Sequence, residues 1–313
     1  MKETPILTVT LNPAIDKSTV AEKLKPESKL RCVEVHNEPG GGGINVSKAL
    51  KKLGVASVAL FPSGGHNGEM LKQLLNDETI LFHSINTSVE TRESWVVLES
   101  SSARQFRFTF PGRGIEEQVV KDLIESIRSF TPRYVVASGS LPPGLPDYFY
   151  GLIVKTANSV GAKCIVDTSG AALQALKGKH VYLIKPNINE LSKMLNIPSL
   201  ADNDVPDAAQ QAVRDGFAEL ITVSMGAKGA WLVSADKRYF AASPEVEART
   251  TVGAGDSMVA GITYMLQQNE SLKQALNFGV ACGTAATMNE GTQLFNVEDA
   301  QRLYKEINDK QRM

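Results

Sequence analysis

Short apolar, β-rich runs alternate with helical patterns along most of this chain, and that rhythm limits the available folds more than any other feature. RYVVASG (133–139), AKCIVDT (162–168) and VYLIKPN (181–187) are compact runs with few polar breaks. A strand covered on one face alternates apolar and polar residues, whereas runs of this kind belong to parallel strands buried on both faces. Helical segments near 146–160 and 169–177 stand between them. Upstream, ILTVTLN (6–12) alternates as a strand and VASVALF (55–61) is another. INVSKALKKLG (44–54) sets Ile44, Val46, Leu50 and Leu53 at roughly helical spacing with Gly54 as a stop, and GEMLKQLL (68–75) is again helical. The pattern predicts an α/β fold built on a doubly wound sheet, with ligands at the carboxyl ends of the strands.

Two stretches break the rhythm. Residues 13–35 are polar and irregular, with β-like pieces. ESWVVLESSSARQFRFTFP (93–111) reads as two strands joined by a turn. In its second strand Phe106, Phe108 and Phe110 share one face, and Arg107 lies on the other with Gln105 and Thr109. Segments of about 13–35 and 88–112 are therefore expected to form a small β lid on a single domain spanning 1–313. ELITVSMGAKGAWLVS (219–234) is a further hairpin candidate.

With 42% hydrophobic and 21% charged residues, 313 residues suffice for a large core in a globular chain. A net charge of −1 supplies no global field to draw in nucleic acid or a membrane surface. Cys32, Cys164 and Cys282 are widely separated and show no CxxC, which fits a reducing compartment. The start, MKETPILTVTLNPAID, lacks a basic segment followed by a long apolar one, and no run approaches the about 20 apolar residues of a membrane span. A cytoplasmic location is the expectation. His36, His66, His83 and His180 are scattered without metal-ligand spacing.

Common nucleotide signatures fail. Gly178-Lys179 is followed by His180, so GxxxxGK[ST] is absent, and the first strand ends in Asn12-Pro13 rather than a GxGxxG turn. Other stretches carry more. In TVGAGDSMVAG (251–261) Gly253 and Gly255 clear side chains from a helix start whose bare N–H groups can hold an anion. Asp256 stands directly behind them; an acid there would repel the anion unless it serves to take a proton. PGGGGINVSKAL (39–50) runs glycines into a helix, where Asn45 can donate and accept; the plain alternative is a flexible turn. In IKPNINEL (184–191) Asn187 and Glu190 offer hard oxygens to Mg²⁺ or its waters, or else form a capping box. Ser224, Gly226 and Gly229 in VSMGAKGAW (223–231) suit either a hairpin turn or a nucleotide shelf. Asp167 closes a buried-looking run and reads as an acid near a nucleotide or as a cap.

Taken in order, these stretches resemble the ribokinase-like (PfkB) sugar kinases over nearly the whole chain. Asp16 after the first strand, the glycine run, SGSLPPG (138–144), KPNxxE, the SMGAKG turn and the GAGD signature follow the family's sequence of pieces. The resemblance implies a three-layer α/β/α fold with a mostly parallel sheet. It also implies ATP-dependent phosphorylation of a sugar phosphate at C1. Gly40 to Gly43, SKLRC (28–32) and NEGTQ (289–293) point to fructose 6-phosphate as acceptor, because the related tagatose-6-phosphate and fructose-1-phosphate kinases usually carry GGKG at the glycine run. A sensor that kept the fold without turnover is the remote alternative, disfavoured by the intact Asp256 and its glycines.

Carried over residue by residue, the resemblance makes Asp256 the base, and the amides of Ala254, Gly255 and Asp256, set up by Gly253, the anion hole. Asp16, Gly41 and Asn45 would hold sugar hydroxyls; Arg92, Arg107 and Ser140 would take the sugar phosphate. Lys185, Asn187, Ser224, Gly226 and Gly229 would line the ATP site, and Lys29 would reach ATP across a homodimer made through the lid. Glu190 would act on Mg²⁺ through water, and carbonyls of Val252, Ala286, Asn289 and Gly291 would take K⁺. The chain departs from the family pattern at Ala248, Thr250 and Gln293, positions tied to nucleotide and monovalent-cation binding.

Overall fold

The computed structural model is described over residues 6–289 and 293–311. The chain opens with β1 (Ile6–Val9), β2 (Ala14–Ala21), β3 (His36–Gly40), α1 (Gly42–Lys52), β4 (Val58–Ser63), α2 (Gly65–Asp77) and β5 (Phe82–Asn86). It continues through β6 (Arg92–Glu99), β7 (Arg104–Thr109), α3 (Glu117–Phe130), β8 (Tyr134–Ser138), α4 (Phe149–Ser159), β9 (Lys163–Asp167) and α5 (Gly170–Gln174). Then come β10 (Leu183–Ile184), α6 (Ile188–Met194), α7 (Val205–Arg214), β11 (Leu220–Ser224), β12 (Ala230–Val233) and β13 (Arg238–Ala241). Three long helices close the chain, α8 (Ala254–Gln267), α9 (Leu272–Thr287) and α10 (Val297–Lys310).

Among the described residues nine strands form one sheet, in the order β13-β12-β11-β10-β9-β8-β1-β4-β5. Neighbours from β11 through β5 pair in parallel, and only β12 and β13 at one edge run antiparallel. Strand alternation sorts the core. Leu7, Val9, Val135, Ala137 and Val166 face α3 to α7 on one side. Ile6, Val136, Ile165 and Leu183 face α1, α8, α9 and α10 on the other. The sheet is thus covered on both faces, as the continuous apolar runs require. No helix among the described residues is long and apolar enough to cross a membrane.

β1 has β4 and β5 to one side and β8 onward to the other, so the chain reverses its direction of winding there. The crevice at the carboxyl ends of β1 and β8 is where such folds place ligands.

A second sheet, β3-β2-β6-β7, projects from the segments on either side of α1–β5. Its hairpin β6–β7 occupies the expected 93–111 region, with Ser94 opposite Thr109 and Glu99 opposite Arg104. β3 lies beyond the 13–35 segment. His36-Asn37-Glu38-Pro39-Gly40 has little strand propensity of its own and is held extended by antiparallel pairing to β2, with Glu38 opposite Asp16. Lateral partners share a face of a sheet. Asp16, Arg92, Ser94 and Arg107 therefore lie on one face, and Ile15, Lys17, Glu93, Trp95 and Phe108 on the other.

Two further details differ from the sequence pattern. The 181–187 run supplies only the two-residue β10, because Pro186 cannot donate to a ladder. The 219–234 hairpin is present as β11–β12, but its connection contains a 3₁₀ turn at Gly226–Lys228.

Candidate active site

α8 begins without a side-chain cap. Gly253 holds its N-cap in the left-handed region at φ 72°, a conformation that disfavours any residue with a Cβ. The amides of Ala254, Gly255 and Asp256 lie in the first turn, where no intrahelical carbonyl is available to them. A Cβ on Gly255 would stand 3.5 Å from the Lys185 Nζ, so an ammonium group sits against the same helix end.

Asp256 faces back across this mouth. Asn45, in the first turn of α1, donates from Nδ2 to its Oδ2 at 2.9 Å, and Ser138 at the end of β8 donates from Oγ to Oδ1 at 3.4 Å. Burial pushes the Asp256 carboxyl up to about 7, helped by the Asp167 carboxylate and opposed by Asn45, Lys185 and Ser138. Lys185, 6% exposed, lies 3.3 Å from Asp167. Burial alone would depress the lysine, but Asp167, Glu190 and Asp256 together hold its pKa above the usual value. Burial lifts Asp167 against the pull of Lys185. The cluster is one cation among three acids at a helix end: Asp256 can accept a proton, and Lys185 with the open amides can face an anion.

The glycine run earns its composition at Gly41 and Gly42. Gly41 sits at φ 117°, and a Cβ on Gly42 would enter the Ser138 side chain. This close approach brings Asn45 to Asp256. The Asp16 carboxyl accepts no hydrogen bond among the described residues; burial lifts it to about 6, with Arg92 lowering it, Glu38 raising it and Lys48 lowering it. Arg92 donates from Nε to the Asn12 carbonyl at 3.2 Å and from Nη1 to Ser94 Oγ and the Phe110 carbonyl, each at 3.1 Å. Asn12 in turn donates from Nδ2 to Ser140 Oγ at 3.2 Å. Asp16, Arg92, Asn12 and Ser140 thus converge on the crevice after β1.

Arg107 has a different partner. It shares the Arg92 face of the second sheet but lies opposite Val96, and donates from Nη2 to Thr251 Oγ1 at 3.2 Å. Beside it Thr250 Oγ1 donates to Gln105 Oε1 at 3.3 Å. A cleft of about 550 Å³ lies between β7 and this segment, lined by Gln105, Arg107, Ala248, Arg249, Thr250 and Thr251.

Asn187 and Glu190 form the capping box. Asn187 N donates to Glu190 Oε2 at 2.8 Å, and Glu190 N to Asn187 Oδ1 at 2.9 Å. The box leaves Glu190 Oε1 available within the field of Lys185. Ser224 joins them through its amide, which donates to the Pro186 carbonyl at 3.0 Å. Gly226 at φ 60° and Gly229 at φ 110° shape the turn above, and a Cβ on Gly229 would collide with backbone of Ala241. Lys29 lies exposed on the β2–β3 connection.

The amides of Arg249 and Thr250 donate to the Thr287 carbonyl at 2.7 and 3.2 Å, so the segment ending at Val252 lies against the end of α9, which holds Ala286 and is followed by Asn289. Gly291 lies outside the described residues. Ser138 and Thr251 join the site without a chemical signal of their own in the sequence; Asp167 had one only as the end of a buried run.

The pfkB family carbohydrate kinase profile matches residues 9–300. The chain belongs to the pfkB family of carbohydrate kinases. This carbohydrate kinase is 40% identical over 301 residues to the ATP-dependent 6-phosphofructokinase isozyme 2 of Escherichia coli K12, covering 96% of this chain and 97% of the relative. It superposes on the E. coli phosphofructokinase-2 structure in complex with potassium with a TM-score of 0.93, at 40% identity, over 97% and 99% of the two chains. The E. coli phosphofructokinase-2 complex with fructose-6-phosphate gives a TM-score of 0.92 at 38% identity, over 97% and 99%. The expected ribokinase-like α/β fold is therefore the observed one, and the kinase is a phosphotransferase acting on an alcohol group.

Proposed function

We propose that this kinase transfers the γ-phosphoryl group of ATP to the C1 hydroxyl of fructose 6-phosphate, giving fructose 1,6-bisphosphate. The observation that carries the reading is the Asp256 carboxylate, fixed by Asn45 at 2.9 Å in front of the open amides of α8 and pushed up to about 7. A base with that pKa is half ionised near neutral pH and accepts a hydroxyl proton readily. The acceptor oxygen then attacks phosphorus as Asp256 takes its proton. The amides of Ala254, Gly255 and Asp256, with Lys185 behind them, stabilise the charge on the transferring group, which is most of what phosphoryl transfer demands.

Asp16, Gly41 and Asn45 hold the sugar hydroxyls. Arg92, Ser140 and Arg107 bind the sugar phosphate, the planar arginine fork matching its oxygens. The four-stranded sheet acts as a lid over the single domain, bringing these groups down and excluding water, which would otherwise compete as acceptor. Lys185, Asn187, Ser224, Gly226 and Gly229 line the ATP site. The free Glu190 oxygen is a hard donor suited to a water of Mg²⁺, which would neutralise phosphate charge. Carbonyls of Val252, Ala286 and Asn289, with Gly291, would hold K⁺; the gathering of 249–252 against the end of α9 supports this.

A homodimer through the lid completes the reading. Phe108 is 47% and Val33 64% exposed, apolar surface that a second copy would cover and that would carry Lys29 toward the partner's ATP. The test is kcat/KM with Mg-ATP for fructose 6-phosphate, tagatose 6-phosphate and fructose 1-phosphate side by side. Preference for either of the latter moves the acceptor. Sugar-phosphate binding without ADP release makes the protein a sensor.

A further inference from the structure

The back of the four-stranded sheet carries a polar knot that the phosphotransfer reading does not use. Glu93 lies on the face opposite Arg92. Its Oε1 accepts from Lys17 Nζ at 2.7 Å and from Asn67 Nδ2 at 3.2 Å, and its Oε2 accepts from Trp95 Nε1 at 3.1 Å. These donors lower the Glu93 pKa, so the group is an anion at neutral pH. Lys17 also stacks over the Trp95 ring, 5.3 Å from its centroid.

Asn67 is the only one of the three donors on the body of the protein, in the first turn of α2. Its Nδ2 also donates to the Thr91 carbonyl at 3.0 Å, so one amide group holds both neighbours of Arg92. The same turn is stitched further. Glu90 accepts from the Asn67 amide at 2.6 Å, and the Thr91 amide donates to the Gly64 carbonyl at 3.0 Å. An acid at that helix end is well placed for the dipole.

We infer that Glu93, through Asn67, is a positioning residue for Arg92, locking the root of β6 onto α2. Resting on the reading above, it fixes where the sugar-phosphate grip stands relative to Asp256. Successive side chains in a strand point to opposite faces, so the direction of Arg92 is set by the backbone at 91 and 93. Both are fastened from behind to α2. Charged hydrogen bonds with several donors give such a link both strength and direction.

The test is steady-state kinetics of the full-length protein with fructose 6-phosphate and Mg-ATP. Glu93→Ala raises KM for the sugar phosphate on the order of tenfold, the scale of a lost charged hydrogen bond, while KM for ATP and kcat stay within about twofold. Asn67→Ala acts in the same direction. The double variant is no worse than Asn67→Ala, because Asn67→Ala already removes the link to Glu93 together with the one to Thr91. Glu93→Gln, which keeps an oxygen for Asn67, recovers most of the loss. Equal changes in both KM values, additive single effects, or no rescue by glutamine overturn the inference. If Glu93→Ala does not fold, the comparison of Asn67→Ala with Glu93→Gln decides in the same way. If the unaltered chain turns over no fructose 6-phosphate, the kinase reading has failed separately, and calorimetric binding of that sugar phosphate to the unaltered chain and to Asn67→Ala decides the positioning role: equal affinities overturn it.

Discussion

In the nine-stranded sheet Leu7, Val9, Val136 and Ile165 are wholly buried between helices, whereas in the four-stranded sheet every residue of β7 is exposed or half-buried. The large sheet owes its form to apolar area removed from water, roughly 1.5–3 kcal/mol for each large side chain. The small one buries Ile15 against the body but owes more of its form to pairing and to polar links such as Glu93 with Lys17. The difference divides labour. Asp167 and Lys185 stand at the ends of strands of the large sheet and Asp256 opens a helix packed on it, and burial perturbs their charges. Arg92, Asp16 and Arg107 hang from the small one, where burial still lifts Asp16 and lowers Arg92 but the outer strand β7 stays open.

That division can be broken by experiment. Asp256→Asn should retain binding of both substrates and lose on the order of 10²–10⁴ in kcat, the range for a general base. A few-fold loss would remove Asp256 from its role. Leu7→Ala in β1 should cost about 2–5 kcal/mol of stability by denaturant titration and leave both KM values alone. A KM change confined to the sugar would mean that the two sheets are not separable. Arg92→Ala should do the reverse, raising KM for the sugar phosphate on the order of ten- to a hundredfold with little change for ATP.

The pH dependence sharpens the contrast. With Asp256 at about 7, kcat/KM should rise about tenfold from pH 6 to 8, as the base loses its proton. Stability moves the other way. The unfolded carboxyl titrates near 3.8 and the folded one at about 7. Between those values the folded chain keeps a proton that the unfolded chain has released, so stability falls as pH rises and levels off above 7. Asp256→Asn should abolish that slope and melt above the unaltered protein at pH 8. The smallest effect is expected at Phe108→Ser, within about 0.5 kcal/mol for the isolated chain, yet with weaker self-association by sedimentation. Unchanged association would leave the lid out of the dimer.

Much of the large sheet was legible because burial on both faces leaves a run such as RYVVASG with nothing else to become. The α8 start was legible for a similar reason, since Gly253 at φ 72° has a purely local cause. β3 was not, because HNEPG becomes a strand only through its ladder with β2. Arg107 was placed on the right face by alternation, but its reach to Thr251 joins residues 144 positions apart. The same holds for Glu93, whose knot draws on residues 17, 67 and 95. Capping boxes announce themselves in sequence; Asn187 and Glu190 did, although their pattern could not say that one carboxylate oxygen would be left over.

The small sheet is sewn from two separated threads, 14–40 and 92–109, joined in parallel register at β2 and β6. Parallel neighbours cannot meet through a tight turn, and closing so long a loop is slow compared with local contacts. During synthesis β2 must therefore wait, unpaired on its inner edge, until the chain has been made through β6. The large sheet waits longer still, since β1 pairs with β8 only after Tyr134 has been made, so the small sheet can close its own ladder before the scaffold beneath it is complete.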